Sequence, residues 1–285
     1  MKYVICYSGG YSSATCAVRA VRKYGKDNVV LLNHDISPSV ESESVKTFKQ
    51  EVAKFLGLDI TYANMKNWEE KTPIKVIKDI GYFHNLKTRQ VLCTYKLKTE
   101  PFYNWIEEND PKHENVYIYG FDLGEQSRIS KRVAMMAKID CKTDYPMIWL
   151  GEFTDEIKEA GIDGPTEYDR FNHANCIGCL KAGWQHWYIV YCERRDIYDE
   201  VAEFEEEVEH ALHRDSDGVG WFLNDRREYF DEMIKAGIEG TELIHHRKWW
   251  IDVKNKVIAS NANIPIEQID MFAEQDNGVC MDCIA

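Results

Sequence analysis

The sequence predicts an α/β protein: a doubly wound, mostly parallel sheet followed by a helical C-terminal extension. Three observations predict it. Short apolar runs just ahead of Ser8, at residues 28–33 and at residues 58–62 read as strands. Between them apolar residues recur at helical spacing, first Ala14, Ala17, Val18 and Val21, then Phe48, Val52, Phe55 and Leu56. The links are short, and a strand, helix and strand so joined form a parallel unit whose right-handed crossover brings both strand C-termini to one sheet edge.

Composition sets the bounds. At 285 residues the chain has room for one large domain, or one domain with an annex, around a sizeable core. The α/β domain is expected over residues 1–170, with a cysteine-containing helical region packed on it over 171–285. No apolar run approaches the roughly 20 residues of a membrane span, and the N-terminus lacks a signal pattern. A cytoplasmic protein without membrane contact is therefore expected. In that compartment nine cysteines are reduced thiols, metal ligands or redox groups rather than structural disulfides. A formal net charge of −13 argues against a broad nucleic-acid surface and leaves room for a local basic groove.

In chain order, the first informative stretch is Ser8-Gly9-Gly10-Tyr11-Ser12-Ser13, between the first strand and the first helix. Adjacent glycines turn the backbone sharply and let a ligand approach, while the helix start offers N–H groups and the positive end of a dipole. With the hydroxyls of Ser8, Ser12 and Ser13, such a loop suits a phosphate or pyrophosphate. It has neither the Walker A spacing and lysine nor the G-x-G-x-x-G dinucleotide turn, and a plain Gly-Gly turn is the competing reading. The hexamer resembles the S-G-G-x-D-S pyrophosphate loop (PP-loop) of the adenine nucleotide alpha hydrolase superfamily. Members of that superfamily cleave between the α and β phosphates of ATP or bind adenylated sulfate. The chain departs from the pattern at Ser12, where most members carry Asp.

The second strand ends at His34-Asp35, on the edge where open α/β sheets bind ligands. Asp35 is there either a contact to the adenosine ribose, a metal or a substrate, or a helix cap. Residues 64–79 are mixed, with Pro73 suited to a first helical turn. Next, Arg89, Lys96 and Lys98 gather around Cys93 in an otherwise acidic chain, which suits an anionic pocket. The competing reading is a solvated helix face that Pro101 ends. This stretch resembles the C-x-x-x-x-K-x-x-P-[LF] segment of the phosphoadenylyl-sulfate (PAPS) reductase branch of the superfamily, through Cys93, Lys98, Pro101 and Phe102. Some iron–sulfur members have two adjacent cysteines here, and this chain has Cys93-Thr94.

Residues 115–122 read as a strand that delivers Gly120 and Asp122 to the same edge, ahead of Glu125, Arg128 and Arg132. Gly120, Glu125 and Arg128 resemble the family's G-x-x-x-x-E-x-x-R segment, whose arginine approaches the nucleotide or the substrate sulfate. An exposed helical Glu/Arg pair is the alternative. Residues 145–150 resemble the family's Y-P strand, and an acidic helix over 154–160 ends at Gly161.

Two CxxC pairs follow, Cys176 with Cys179 and Cys280 with Cys283. Two-residue spacing lets two thiolates share a metal ion or cluster, or close a redox ring. By resemblance to the reductase branch, Cys93, Cys176 and Cys179 supply three ligands to a [4Fe-4S] cluster near the substrate, with the fourth from Cys280, Cys283 or an external group. A four-thiolate Zn2+ site from the two CxxC pairs, or a free terminal thiol couple, stand as rivals. Cys6, Cys16, Cys141 and Cys192 belong to no metal-spaced pair and read as core or structural.

In the C-terminal third, residues 187–213 read as one long helix with a solvated acidic face and an apolar stripe at Phe204, Val208 and Leu212. Asp215-Ser216-Asp217-Gly218 reads as a turn and residues 224–236 as another helix. His245-His246-Arg247-Lys248-Trp249-Trp250 is either a base- or phosphate-binding patch or a partly buried anchor.

The resemblance spans roughly residues 2–210. It implies an enzyme that binds ATP with Mg2+, or an adenylated substrate, and cleaves at the α phosphate in support of sulfur transfer or redox chemistry. By the same resemblance Ser8, Gly9, Gly10, Ser12 and Ser13 hold the phosphates. Asp35, Gly120 and Glu125 belong to the nucleotide site. Arg128, Lys98 and Lys96 neutralise substrate charge, and Cys93 joins them in the chemistry. The acceptor is a nucleic-acid base, a DNA backbone or a small metabolite, and a homo-oligomer is among the expected assemblies. Reduction of PAPS or its relative APS is the first alternative, although the E-C-G-[LI]-H motif of those enzymes is missing here. The second is a non-catalytic, zinc-stabilised, nucleotide-binding interaction protein.

Overall fold

The computed structural model describes residues 1–85, 91–149, 155–174, 176–214 and 219–276. The chain divides into two compact units. The first comprises Met1–Glu70 and Tyr95–Glu167, and the second comprises Lys71–Thr94 with the described chain from Tyr168 onward.

In the first unit β1 (Tyr3–Cys6), α1 (Tyr11–Tyr24), β2 (Val29–Asn33), α2 (Glu43–Leu56) and β3 (Ile60–Tyr62) alternate. Helix α3 (Pro73–Ile80) belongs to the second unit. The first then resumes with α4 (Glu100–Asn109), β4 (Val116–Ile118), α5 (Gln126–Ala137) and β5 (Lys142–Asp144). The five strands form one sheet in the order β3-β2-β1-β4-β5, and every neighbouring pair is parallel. Register sets Ile5 beside Leu31 on one side and Ile118 on the other.

Alternation along each strand sends side chains to opposite faces. Ile5, Leu31 and Ile118 pack with Ala14, Ala17 and Val18 of α1 and Phe48 and Val52 of α2. Val4, Cys6, Leu32 and Tyr117 pack with Phe102 and Ile106 of α4 and Ile129 and Met136 of α5. Both faces of the sheet are therefore covered, as an all-parallel sheet requires. The order reverses at β1: the chain runs outward through β2 and β3, then returns to lay β4 on the opposite side of β1. In open α/β sheets that reversal opens a ligand crevice at the strand C-termini.

Several expected elements come out differently. Phe55 is exposed rather than on the buried stripe of α2, where Val45, Lys49 and Ala53 lie instead. Residues 145–148 are not a strand: Pro146–Ile148 is a 3-10 turn, and the strand is β5 just before it. Proline supplies no ladder donor, so pairing stops at Asp144. Pro101 does not end a helix: it is the second residue of α4, which follows directly on the π-helical turn Tyr95–Thr99.

In the second unit the single long helix expected over 187–213 is two, α6 (Trp184–Glu193) and α7 (Arg195–Glu207), broken at Arg194 with φ −134° and ψ 61°. Helices α8 (Arg227–Lys235), α9 (His246–Ser260) and α10 (Ile266–Gln275) follow, with a short antiparallel pair, β6 (His213–Arg214) and β7 (Gly220–Trp221). Residues 184–191 of α6 are all buried, the mark of a helix at the centre of a core. Tyr188 packs on Phe230 of α8 and on Trp249 of α9, and Trp187 on Tyr198 of α7. Trp249 and Trp250 are buried, so the His245–Trp250 stretch supplies core anchors behind a polar rim. Asp215 to Gly218 lie outside the described residues. Among the described residues no helix is long and apolar enough to cross a membrane.

Candidate functional site

The loop after β1 is built for close backbone approach. Gly9 has φ +84°, and a Cβ placed there would sit 2.7 Å from Cγ and Cδ of Lys49, so the position admits glycine for two separate reasons. Gly10 is the N-cap residue of α1 and brings no side-chain cap; the helix begins with Ala14 N–H bonded to its carbonyl at 3.1 Å. Ser13 Oγ also donates to Gly10 O at 2.8 Å, and Ser8 Oγ donates to Ser13 Oγ at 3.2 Å. Ser12 is exposed at the helix start. Two ordered hydroxyls and one exposed one thus ring a helix N-terminus, which favours an anion.

Gly120, just beyond β4, packs directly against this loop. A Cβ on it would lie 3.0 Å from Ser12 C and 3.1 Å from Ser13 N. Its contribution is close packing of β4 against the first turn of α1. Gly120→Ala is therefore expected to cost about 1–3 kcal/mol through overpacking, read as a lowered urea midpoint with unchanged slope.

Asp35 does not cap α2, a task that falls to Ser42, whose side chain accepts from Ser44 N–H. Instead its Oδ1 receives Lys46 Nζ at 2.7 Å and Lys49 Nζ at 3.1 Å. Glu41 Oε2 receives the same two amines at 2.9 and 3.1 Å. Burial opposes the charge on Asp35, but the Lys46 hydrogen bond and the Lys49 charge outweigh it and hold the carboxyl below its ordinary range. Beside it, burial is the main force holding His34 down to about 4, with the Lys98 charge adding to it against a hydrogen bond with Ala63 O. Lys46, Lys49, Glu41 and His34 were not singled out by sequence motifs. One signal existed: Lys49 occupies the buried stripe of α2, where an apolar residue belongs.

The remaining charged candidates of the first unit have local partners. Glu125 completes a capping box with Asp122, its Oε2 accepting Asp122 N–H at 3.0 Å. It is also ion-paired to Arg128, three residues on, whose guanidinium lies 4.4 Å from the centre of the Phe121 ring. Lys96 is paired to Glu100 at 2.9 Å. Arg89 lies outside the described residues.

In the second unit Cys93, Cys176 and Cys179 are all buried. Gly178, inside the CxxC turn, has φ +73°, and a Cβ there would meet Ile197 Cγ2 at 2.4 Å. A glycine thus sets the turn between the two cysteines, and buried sulfur is the donor type that a thiolate-held metal or cluster takes. Cys280 and Cys283 lie outside the described residues. Beyond the expected ligands, the ligand atoms of His173, His186 and Glu242 lie within 4.8 Å of one another. Burial opposes the charge of Glu242, and the hydrogen bonds of the two imidazoles outweigh it and hold its carboxyl down to about 2. Of the other cysteines, Cys6 and Cys16 are core thiols that burial pushes up to about 12, and Cys141 to about 11. Cys192 is exposed, not core.

The chain matches no protein-family model and no curated protein. Fold and geometry define its class as an open, parallel α/β protein with a glycine loop on a helix N-terminus at the reversal of strand order.

Proposed function

We propose that the chain is an adenine nucleotide alpha hydrolase-like enzyme, of the PAPS reductase kind, that binds ATP or an adenylated substrate and cleaves at the α phosphate. The observation that carries this is the position of Ser8-Gly9-Gly10-Tyr11-Ser12-Ser13: between β1 and α1, beside Gly120, where the strand order reverses. In this reading the α1 N-terminus and the Ser12 hydroxyl meet the phosphate oxygens, and Ser8 and Ser13 join them by turning their protons away from Ser13 Oγ and Gly10 O. Mg2+ is carried in by the nucleotide, which supplies its own oxygens to the ion. An acceptor nucleophile forms a bond to the α phosphorus as the bond to the bridging oxygen breaks, and pyrophosphate leaves with that electron pair. Lys98 and Arg128 neutralise charge on the phosphates or a sulfate; for Arg128 this means exchanging Glu125 for the substrate.

Cys93, Cys176 and Cys179 hold a [4Fe-4S] cluster in the same proposal; in its structural variant the two CxxC pairs, Cys176 with Cys179 and Cys280 with Cys283, hold Zn2+ instead. The cluster would supply redox or sulfur chemistry, and the protein would contribute buried thiolates and a dry shell. A cytoplasmic site of action, with a nucleic-acid or small-molecule acceptor, completes the proposal.

Ser12 in place of the family's Asp, and the Glu125–Arg128 pair, favour a second reading: a nucleotide-binding protein that does not turn over. Calorimetry with ATP and Mg2+, followed by an assay for pyrophosphate and AMP, separates the two. Binding with pyrophosphate release is expected. Tight binding without release favours the second reading, and no binding of either ATP or adenylyl sulfate sinks both.

A further inference from the structure

The Cys176–Cys179 turn is held from behind by groups that no motif points to. Cys179 donates its backbone N–H to His186 Nε2 at 3.2 Å. A backbone N–H can only donate, so Nε2 of His186 carries a lone pair and, in the neutral ring, the proton sits on Nδ1. That Nδ1–H faces Glu242 Oε1 at 2.8 Å, and Glu242 Oε2 lies 3.0 Å from His173 Nε2. The tautomer of His186 is thereby fixed from both sides. Glu242 is anchored in turn by its own N–H, which donates to Arg170 O at 2.7 Å.

Two consequences follow. First, His173, His186 and Glu242 are not a ready metal centre despite their convergence: a cation on His186 Nδ1 would displace its proton to Nε2 and break the bond to Cys179. Second, the turn is clamped between His186 at the Cys179 amide and Ile197 against Gly178.

We propose that Glu242 and His186 are positioning residues for the Cys176/Cys179 thiol pair: Glu242 sets the tautomer of His186, and His186 holds the turn in the form that presents both sulfurs to a metal. This rests on the thiolate-ligand reading proposed above, and extends it to residues that touch no metal themselves. Partners one step removed from ligands typically change metal affinity by about 10- to 100-fold.

The test titrates Co2+ into the full chain purified metal-free under reducing conditions, following the thiolate-to-cobalt charge-transfer absorbance, with thermal unfolding recorded in parallel. His186→Leu and Glu242→Leu are expected to weaken Co2+ binding at least about tenfold at temperatures where the fold is intact. His186→Gln, whose amide oxygen still accepts from Cys179 N–H, and Glu242→Gln, which still accepts from Nδ1–H, are expected to recover most of it. Phe230→Leu, a core change in the same unit, controls for stability: it lowers the melting temperature without weakening Co2+. Wild-type binding that the two Leu variants leave unchanged, or that Phe230→Leu weakens equally, overturns the positioning proposal alone. No thiolate band in the wild type sinks the ligand reading and the proposal with it. Nitrogen NMR of His186 stands independent of folding of the variants: a protonated Nε2 in the wild type also overturns the proposal.

Discussion

Lys49→Met is expected to destabilise the first unit by about 3–5 kcal/mol, the range for removing one partner of a buried ion pair. Lys49 is 1% exposed and Glu41 4% exposed, and the network they form with Asp35 and Lys46 is two cations against two carboxylates. Methionine keeps the apolar stem, so the platform under Gly9 survives and the loss is electrostatic: one uncompensated buried carboxylate. Lys46→Met removes the more exposed amine, 5.1 Å from the Trp68 ring, and is expected to cost less because water can reach the vacated side. The discriminating measurement is a double-mutant cycle by urea denaturation. Lys49→Met with Glu41→Leu restores one cation to one carboxylate, and should recover at least half of the single-variant loss. Equal and additive costs would mean the four charges do not act as a unit. Lys49→Ala adds a different effect, since removing the stem takes away the contact that confines Gly9. In that variant the ATP affinity proposed for this loop should fall beyond what the stability loss explains.

The parts of this molecule that sequence made legible are those governed by short-range periodicity. Strand β1, helix α1, strand β2 and helix α2 emerge at nearly the expected residues because alternation and helical spacing are local properties. The reversal of strand order emerged only with the structure, since which side of β1 takes β4 is a matter of long-range pairing. Pro101 was ambiguous for a definite reason: proline after a basic stretch marks either the end of one helix or the first turn of the next. Arg194, where the chain breaks between α6 and α7, carries neither glycine nor proline to announce it. The groups around the thiols were illegible altogether. His186 and Glu242 are 56 residues apart, and neither has a motif, so only their shared burial reveals them. Conversely, Glu125 and Arg128 matched a motif, yet their positions three apart also produce the local cap and ion pair that the structure contains.

Glu205 is the second place where one substitution should have a large effect, and its sign reverses ordinary carboxylate behaviour. The side chain is fully buried, and its two oxygens accept Leu212 N–H at 2.6 Å and Leu223 N–H at 2.7 Å, tying down the residues that flank β6 and β7. Glu205→Leu leaves both donors without their acceptor and is expected to cost about 2–6 kcal/mol, at about 1–3 for each buried orphan. Burial pushes the Glu205 carboxyl up to about 7 from 4.5, against the pull of those two amides. The folded state therefore holds a proton that the unfolded state has released across pH 4.5 to 7. The contribution is complete below 4.5 and is lost as pH rises through 7, about 3 kcal/mol over the window. Buried His213 acts oppositely: burial is the main cause that holds it down to about 3, so its contribution is present above 6.5 and lost as pH falls. Net stability of the wild type alone would mix the two. The difference between wild type and Glu205→Gln isolates the carboxyl, because the amide does not titrate. That difference should favour the wild type most at pH 4.5 and shrink steadily toward pH 8. A difference that grows with pH would mean the two amides outweigh burial and Glu205 is an ordinary buried carboxylate.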